Sequence, residues 1–289
     1  MITWPETLVR EIVKERCVFF LGAGVSASAD DGHGNRPPTW QHFLDKACAL
    51  VADSKARRAV KLLIKEGKLL IALQAIREHS DPSDYRHFLD QHFNNQNFKP
   101  SALHQIIFDL DARIVITTNF DKIYERYCTS YVGGPTAFKV IDYGASDLAD
   151  EIRSDTRLII KAHGSIDRIS DMIFTRSQYH EAKRKHPHFY EVLKGIFLTN
   201  TIVFIGCGLE DPDMMLLLED VQITGRHEKP HYALTLKGSK NKFLISDWKT
   251  TYNIRVLEFG PDYSALTHEL QNLLDHVNAV RAAMFSGLS

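Results

Sequence analysis

Cys17-Val18-Phe19-Phe20-Leu21-Gly22-Ala23-Gly24-Val25-Ser26 is the stretch on which the fold turns. Its first five residues are apolar without alternation, the pattern of a strand buried on both faces, as in a parallel sheet covered by helices. Two glycines follow at once, where the chain leaves the strand and opens a helix. Glycine there lets the backbone approach a pyrophosphate closely, and a helix start offers free N–H groups to its charge. A tight strand-to-helix turn with no ligand explains the same residues, and the stretch alone leaves both readings open. It is not the G-x-G-x-x-G dinucleotide fingerprint, because Ala27 stands where the last glycine belongs. No clear acidic residue closes a second strand some 20 residues on, which disfavours an ordinary dehydrogenase.

Outward from this stretch the pattern recurs. Ala112 to Ile116 is a β-branched run that ends in Thr117-Thr118-Asn119-Phe120-Asp121, and Leu158 to Ile160 ends in Lys161-Ala162-His163-Gly164-Ser165. Thr201 to Ile205 runs into Gly206-Cys207-Gly208-Leu209-Glu210-Asp211-Pro212. Parallel strands of an open α/β sheet bring their carboxyl ends to one crevice, so the four turns can share a pocket. Asn119 and Asp121 suit hydrogen bonding to a carboxamide or a water. They suit equally an Asx-type turn capping the helix that follows. His163 is set apart from the other histidines by its place after a strand and before a glycine. That place is expected to open its imidazole to a crevice, where it suits a general base near neutral pH. Asp211 reads as the cap of a helix starting at Pro212.

Further strands are expected at Phe138–Ile141, Tyr232–Leu236 and Arg255–Phe259, with Met172–Phe174 as a short edge piece. Helices are expected at Pro5–Lys14, with Thr3 as cap, at Ala102–Asp109 and at Tyr263–Ala283. Thr39 to Ser101 carries only helical patterns, including a Trp40, Phe43, Leu44, Ala47 stripe. It reads as a small helical module inserted into one domain spanning residues 1–289. Strands alternating with helices give a Rossmann-like α/β fold, with a mostly parallel sheet and helices on both faces.

The 289 residues are 44% hydrophobic and 25% charged, with a formal net charge of −1. This is an ordinary globular composition that argues for neither a nucleic-acid nor a membrane surface. The four cysteines are scattered without a C-x-x-C pair, so no local zinc or redox motif exists. Cys17 and Cys207 read as core residues inside strands. Met1 to Arg16 has no signal-peptide apolar region, and a cytoplasmic protein is expected. His180, His186 and His188 lie among Glu181, Lys183, Arg184 and Lys185, which reads as a solvated helix end rather than a metal site.

Together the four turns resemble the sirtuin family, which carries G-A-G-x-S, T-x-N-x-D, H-G and a G-x-S/G-L turn in this order. The zinc module of the family's deacetylases is missing, since only Cys207 lies beyond His163. Asn35-Arg36-Pro37-Pro38-Thr39-Trp40 replaces the G-I-P-D-F-R stretch and is similar to a zinc-free bacterial branch. Leu103-His104, Phe174-Thr175-Arg176 with Tyr179, and Leu209-Glu210-Asp211-Pro212 agree with that branch. The resemblance implies an NAD-consuming effector of antiphage defence, without a metal. Some such effectors are fused to other domains and others, near this length, assemble with a separate ATPase of the HerA type; a homo-oligomer is also expected of this chain. It implies that Gly22, Ala23, Gly24 and Ser26 cradle the diphosphate and that Gly206 and Gly208 approach the adenosine side. Asn119 would orient water, Asp121 contact the carboxamide and His163 act as base, with Thr118 and Asp211 also among the binding residues. A protein deacylase or ADP-ribosyltransferase is an alternative, and a non-catalytic NAD or ADP-ribose sensor is another.

Overall fold

The computed structural model describes residues 1–131, 138–210, 212–221 and 229–286. In chain order, α1 (Glu6–Val13) leads into β1 (Cys17–Leu21) and the one-turn α2 (Ala23–Ser26). Then come α3 (Trp40–Ala47), α4 (Ser54–Lys65), α5 (Leu69–Glu78), α6 (Pro82–Phe93) and α7 (Ala102–Asp109). The sheet resumes with β2 (Ile114–Thr117), α8 (Ile123–Tyr131), β3 (Lys139–Asp142), α9 (Leu148–Arg153) and β4 (Leu158–Lys161). It continues with α10 (Arg176–Lys185), α11 (Pro187–Thr199), β5 (Thr201–Ile205), α12 (Pro212–Val221) and β6 (His231–Leu236). α13 (Lys242–Tyr252), β7 (Ile254–Phe259) and α14 (Ala265–Ser286) close the chain.

Among the described residues the strands form one seven-stranded sheet in the order β3-β4-β2-β1-β5-β6-β7. Every neighbouring pair is parallel. Successive side chains of a strand point to opposite faces, and β1 divides accordingly. Val18 and Phe20 join a core built with α10, α11, α12 and α13, whereas Cys17, Phe19 and Leu21 join a second core built with α1, α7, α8 and α14. Both faces are thus dry, which is why β1 carries no polar residue. α3 to α6 form a third cluster around Phe43, Leu73 and Leu89. Asp53 starts α4 by accepting the Ala56 N–H at 2.7 Å, and Asp81 with Pro82 starts α6. Among the described residues no helix is long and apolar enough to cross a membrane.

The expected elements form, with four differences. The first strand, β1, matches residue for residue, while β2, β3, β4, β6 and β7 shift by a residue or so at their ends. Met172–Phe174 is not a strand. Its apolar character reflects burial, and its link to the sheet end is one bond from Ile173 N–H to the His163 carbonyl at 2.9 Å. Thr3 does not cap α1, whose N-cap is Pro5. Cys207 lies two residues beyond β5, half-buried, rather than inside it.

Candidate active site

The sequence of strands runs to one side of β1 through β2 and to the other side through β5, so the crevice above β1 and β5 is the topological switch point where open sheets bind ligands. There the two glycine turns touch each other. Gly22 gives its N–H to Ile205 O at 3.0 Å and Gly24 gives its own to Gly206 O at 2.9 Å. A Cβ on Gly24 would stand 2.9 Å from Gly206 Cα, and one on Gly206 2.6 Å from Val25 N. Gly24 and Gly206 therefore shape the floor by backbone contact, and three of the loop's N–H donors are already spent, the third from Val25 to Gly22 O at 3.0 Å.

Beside this floor the Thr117–Asp121 turn is held from three directions. Thr117 donates its hydroxyl to Leu21 O at 2.9 Å and accepts the Asn119 N–H at 3.0 Å. The Asn119 amide nitrogen donates to Gly22 O and to Ser26 Oγ, both at 2.9 Å. A carbonyl can only accept, so Gly22 fixes which end of the carboxamide is nitrogen. Asn119 Oδ1 is then the free acceptor, with no protein partner among the described residues. Asp121 Oδ1 accepts the Ile123 N–H at 3.0 Å, so this carboxylate is the cap of α8 and a wall of the site together.

Those walls border an open cleft of about 660 Å³, counting the solvent space at its mouth, lined by Gly22, Ala23, Ser26, Thr118, Asn119, Asp121 and Gly208 among the residues expected from sequence. Gly24 and Gly206, also expected to bind, do not line it themselves, and Asp211 lies outside the described residues. His163 departs from expectation: it is 1% exposed and does not line the cleft. The reason is the Met172–Phe174 segment, which folds over the end of β4 and bonds to the His163 carbonyl. Register pairs Thr117 with Lys161, so Asn119 and His163 each leave their adjacent strands two residues beyond one matched pair. Among the described residues no group of three or more His, Cys, Asp or Glu gathers in a way that could hold a metal ion.

Lys161 supports this corner from below. It is fully buried, and its ammonium donates to Asp121 O at 2.7 Å and to Glu125 Oε1 at 2.6 Å. Burial pushes the Glu125 carboxyl up, with Lys161 acting against that shift. A second buried group, His104, accepts the Ser101 N–H on Nδ1 at 3.1 Å, and burial lowers its pKa to about 4, with Asp121 opposing.

The SIR2-like domain model matches residues 113–257, half of the chain and all but the first of the four turns. This chain belongs to the SIR2-like family. It is 28% identical over 242 residues to the NAD(+) hydrolase ThsA of Enterococcus faecium, covering 82% of this chain and 46% of that protein. The ThsA of Cytobacillus dafuensis is 27% identical over 252 residues, covering 84% and 46%. Defense-associated sirtuin 2 of Bacillus subtilis is 27% identical over 211 residues, covering 72% of this chain and 19% of that protein. The chain spans about half the length of the ThsA relatives it matches.

In this SIR2-like chain several lining residues had no polar signature to betray them. Pro37, Pro38, Trp40, Phe43, Phe93, Phe120, Phe174, Cys207 and Met214 complete the cleft. Trp40 and Phe43 stood in the sequence as a helical stripe, which periodicity assigns to a core without saying which core. In the structure Phe43 stacks on Phe174, 5.7 Å between ring centres and 10° between planes, and Phe174 sits 4.2 Å from Phe120. The inserted helices thus pack on the Asn119 turn and roof the site.

Proposed function

We propose that this chain hydrolyses NAD at the bond between nicotinamide and ribose, giving nicotinamide and ADP-ribose, as an effector of antiphage defence. The observation that carries the reading is the Asn119 carboxamide, a lining residue of the switch-point cleft fixed by Gly22 and Ser26 so that its Oδ1 has no protein partner among the described residues. Relatives named NAD(+) hydrolase and defense-associated sirtuin support the same chemistry and setting. The pyridinium is already a good leaving group, so the site must tolerate oxocarbenium character and aim a water. Asn119 Oδ1 accepts a hydrogen bond from that water, and Asp121 contacts the carboxamide of the nicotinamide. Gly22, Ala23 and Ser26 run along the diphosphate over the floor made by Gly24 and Gly206, with Thr118, Gly208 and Asp211 completing the contacts. Cleavage turns a cationic pyridinium into neutral nicotinamide, a change that the aromatic wall of Trp40, Phe43, Phe93 and Phe174 favours over bulk water. His163 is the base in this scheme.

The same reading places the protein in the cytoplasm as one SIR2-like unit over residues 1–289, with the helical insertion at about 39–101. It assembles as a homo-oligomer, and a HerA-type ATPase is its candidate partner. Exposed Leu62 on α4 and Ile71 on α5 support an assembly surface on the insertion. Light scattering after size exclusion, with and without the ATPase, checks this.

Chromatographic nicotinamide release tests the chemistry. Asn119→Ala and His163→Ala are expected to lower turnover by about 10²-fold or more while remaining folded, the scale of a lost general base or positioned water. Full release by either variant removes the role given to that residue. No release by the unaltered protein, alone or with its partner, sinks the proposal.

A further inference from the structure

We propose that Lys161 is a positioning residue for the hydrolytic step, acting through the Asp121 backbone to hold the Asn119 turn; the proposal rests on the function given above. Three bonds tie the end of β4 and the segment after it to that turn: Ala162 N–H to Thr117 O at 2.9 Å, Lys161 Nζ to Asp121 O at 2.7 Å, and Ile166 N–H to Phe120 O at 3.0 Å. They bracket Asn119, and the middle one is the only one of the three made by a side chain. Two are backbone bonds that any sequence could make at this place. Among these three ties, the Lys161 bond is therefore the one that sequence, rather than topology, sets, beside the side-chain bonds that Thr117, Asn119 and Asp121 make within the turn.

An ammonium is a costly way to fill this space. Lys161 is 0% exposed and Glu125 8%, and a buried ion pair of this kind is often replaceable by apolar residues without loss of stability. What an apolar pair cannot do is donate to the Asp121 carbonyl. Glu125 lies in the first turn of α8 and Asp121 caps that helix, so the single ammonium fastens the helix, its cap and the end of β4 in one register. Asn119 sits two residues before the fastened carbonyl, close enough for a released turn to shift its Oδ1 against the water it aims. Loss of alignment by about 1 Å commonly costs about 10²-fold in rate.

The Lys161→Met variant alone would strand the Glu125 carboxylate and tests only folding. The informative variant is Lys161→Met with Glu125→Leu, which removes both charges at similar volume. Its thermal midpoint is expected to stay near that of the parent protein. Amide hydrogen exchange in residues 117–125 should speed up, and kcat for nicotinamide release should fall about 10- to 100-fold, with KM for NAD changed less than about threefold. Parent-like kcat, unchanged exchange in the turn, or a double variant that does not fold would each overturn the assignment, leaving the pair a stability element. An unaltered protein that releases no nicotinamide would instead defeat the hydrolase reading, and the exchange comparison would still decide whether Lys161 holds the turn.

Discussion

Polarity at single residues does much of the positioning in this site. Gly22 O dictates the orientation of the Asn119 carboxamide, and His104 shows the same logic at a titratable group. His104 stands three residues after Ser101, where a capping box ordinarily has Glu or Gln, and Nδ1 accepts the Ser101 N–H as those side chains would. Ser101 Oγ in turn meets Ser28 Oγ at 2.7 Å, and Ser28 donates to Val25 O, so the imidazole braces the glycine turn through α7. Protonation would set a second donor against the Ser101 N–H. With the folded pKa lowered to about 4 from an ordinary 6.5, the unfolded chain binds more protons between these values. The contribution is therefore complete above about pH 6.5 and drains away as pH falls towards 4, amounting to about 2 kcal/mol lost by about pH 5. His104→Gln keeps the cap and has no titration. Urea unfolding at about pH 7.5 and pH 5 should show the parent protein losing this increment relative to the variant, and equal losses would refute it. At this scale the sequence was half legible. Asn119, Asp121 and Ser26 announced themselves by type and by following a strand. The burial of His163 and the use of Lys161 depend on partners some 40 residues away or on a covering segment, and no local pattern encodes those.

Elements were more legible than residues, because periodicity survives without knowledge of partners. β1 could be bounded from its unbroken apolar run, and α3 was legible as the stripe of Trp40, Phe43, Leu44 and Ala47. Periodicity reports that a face is buried and is silent on what buries it. Met172–Phe174 was misread as a strand for that reason, and the roofing role of the inserted helices was invisible. Phe43 on α3 carries the consequence. It contacts Phe88, Phe93 and Phe174 and is buried at 1% exposure while bordering the cleft. Phe43→Ala is expected to cost about 3–5 kcal/mol, as large-to-small core changes of this kind do. Because the lost ring also supports Phe174, KM for NAD should rise several-fold at temperatures where the variant is still folded. A thermal melt paired with initial-rate kinetics checks both, and an unchanged KM would separate the insertion from the site.

Across the whole molecule, the two halves of the sheet meet at β1 and β5, and the join is made where their turns approach without side chains. Gly206 has φ +65°, which only glycine adopts cheaply, and a Cβ there would also press on Val25 N at 2.6 Å. Gly206→Ala therefore combines a left-handed backbone cost of about 1–2 kcal/mol with a steric one. Gly238 separates the two, since its φ is +69° but nothing lies within 4 Å of its Cβ position. Gly238→Ala should show the backbone cost alone and parent-like turnover. Gly24→Ala attacks the same contact from the β1 side, where a Cβ would meet Gly206 O at 2.9 Å. Once one methyl has pushed the turns apart, the second has less to displace. The Gly24→Ala, Gly206→Ala pair should then be less destabilising together than the sum of the single variants, whereas independent sites add to within about 0.5 kcal/mol. Denaturant unfolding of the four proteins gives the cycle, and calorimetry with NAD should show binding weakened in both single variants, because the floor of the cleft is the contact itself. Additive stabilities, or unweakened binding in both, would mean that the glycines serve each turn separately and that the switch point does not depend on their touching.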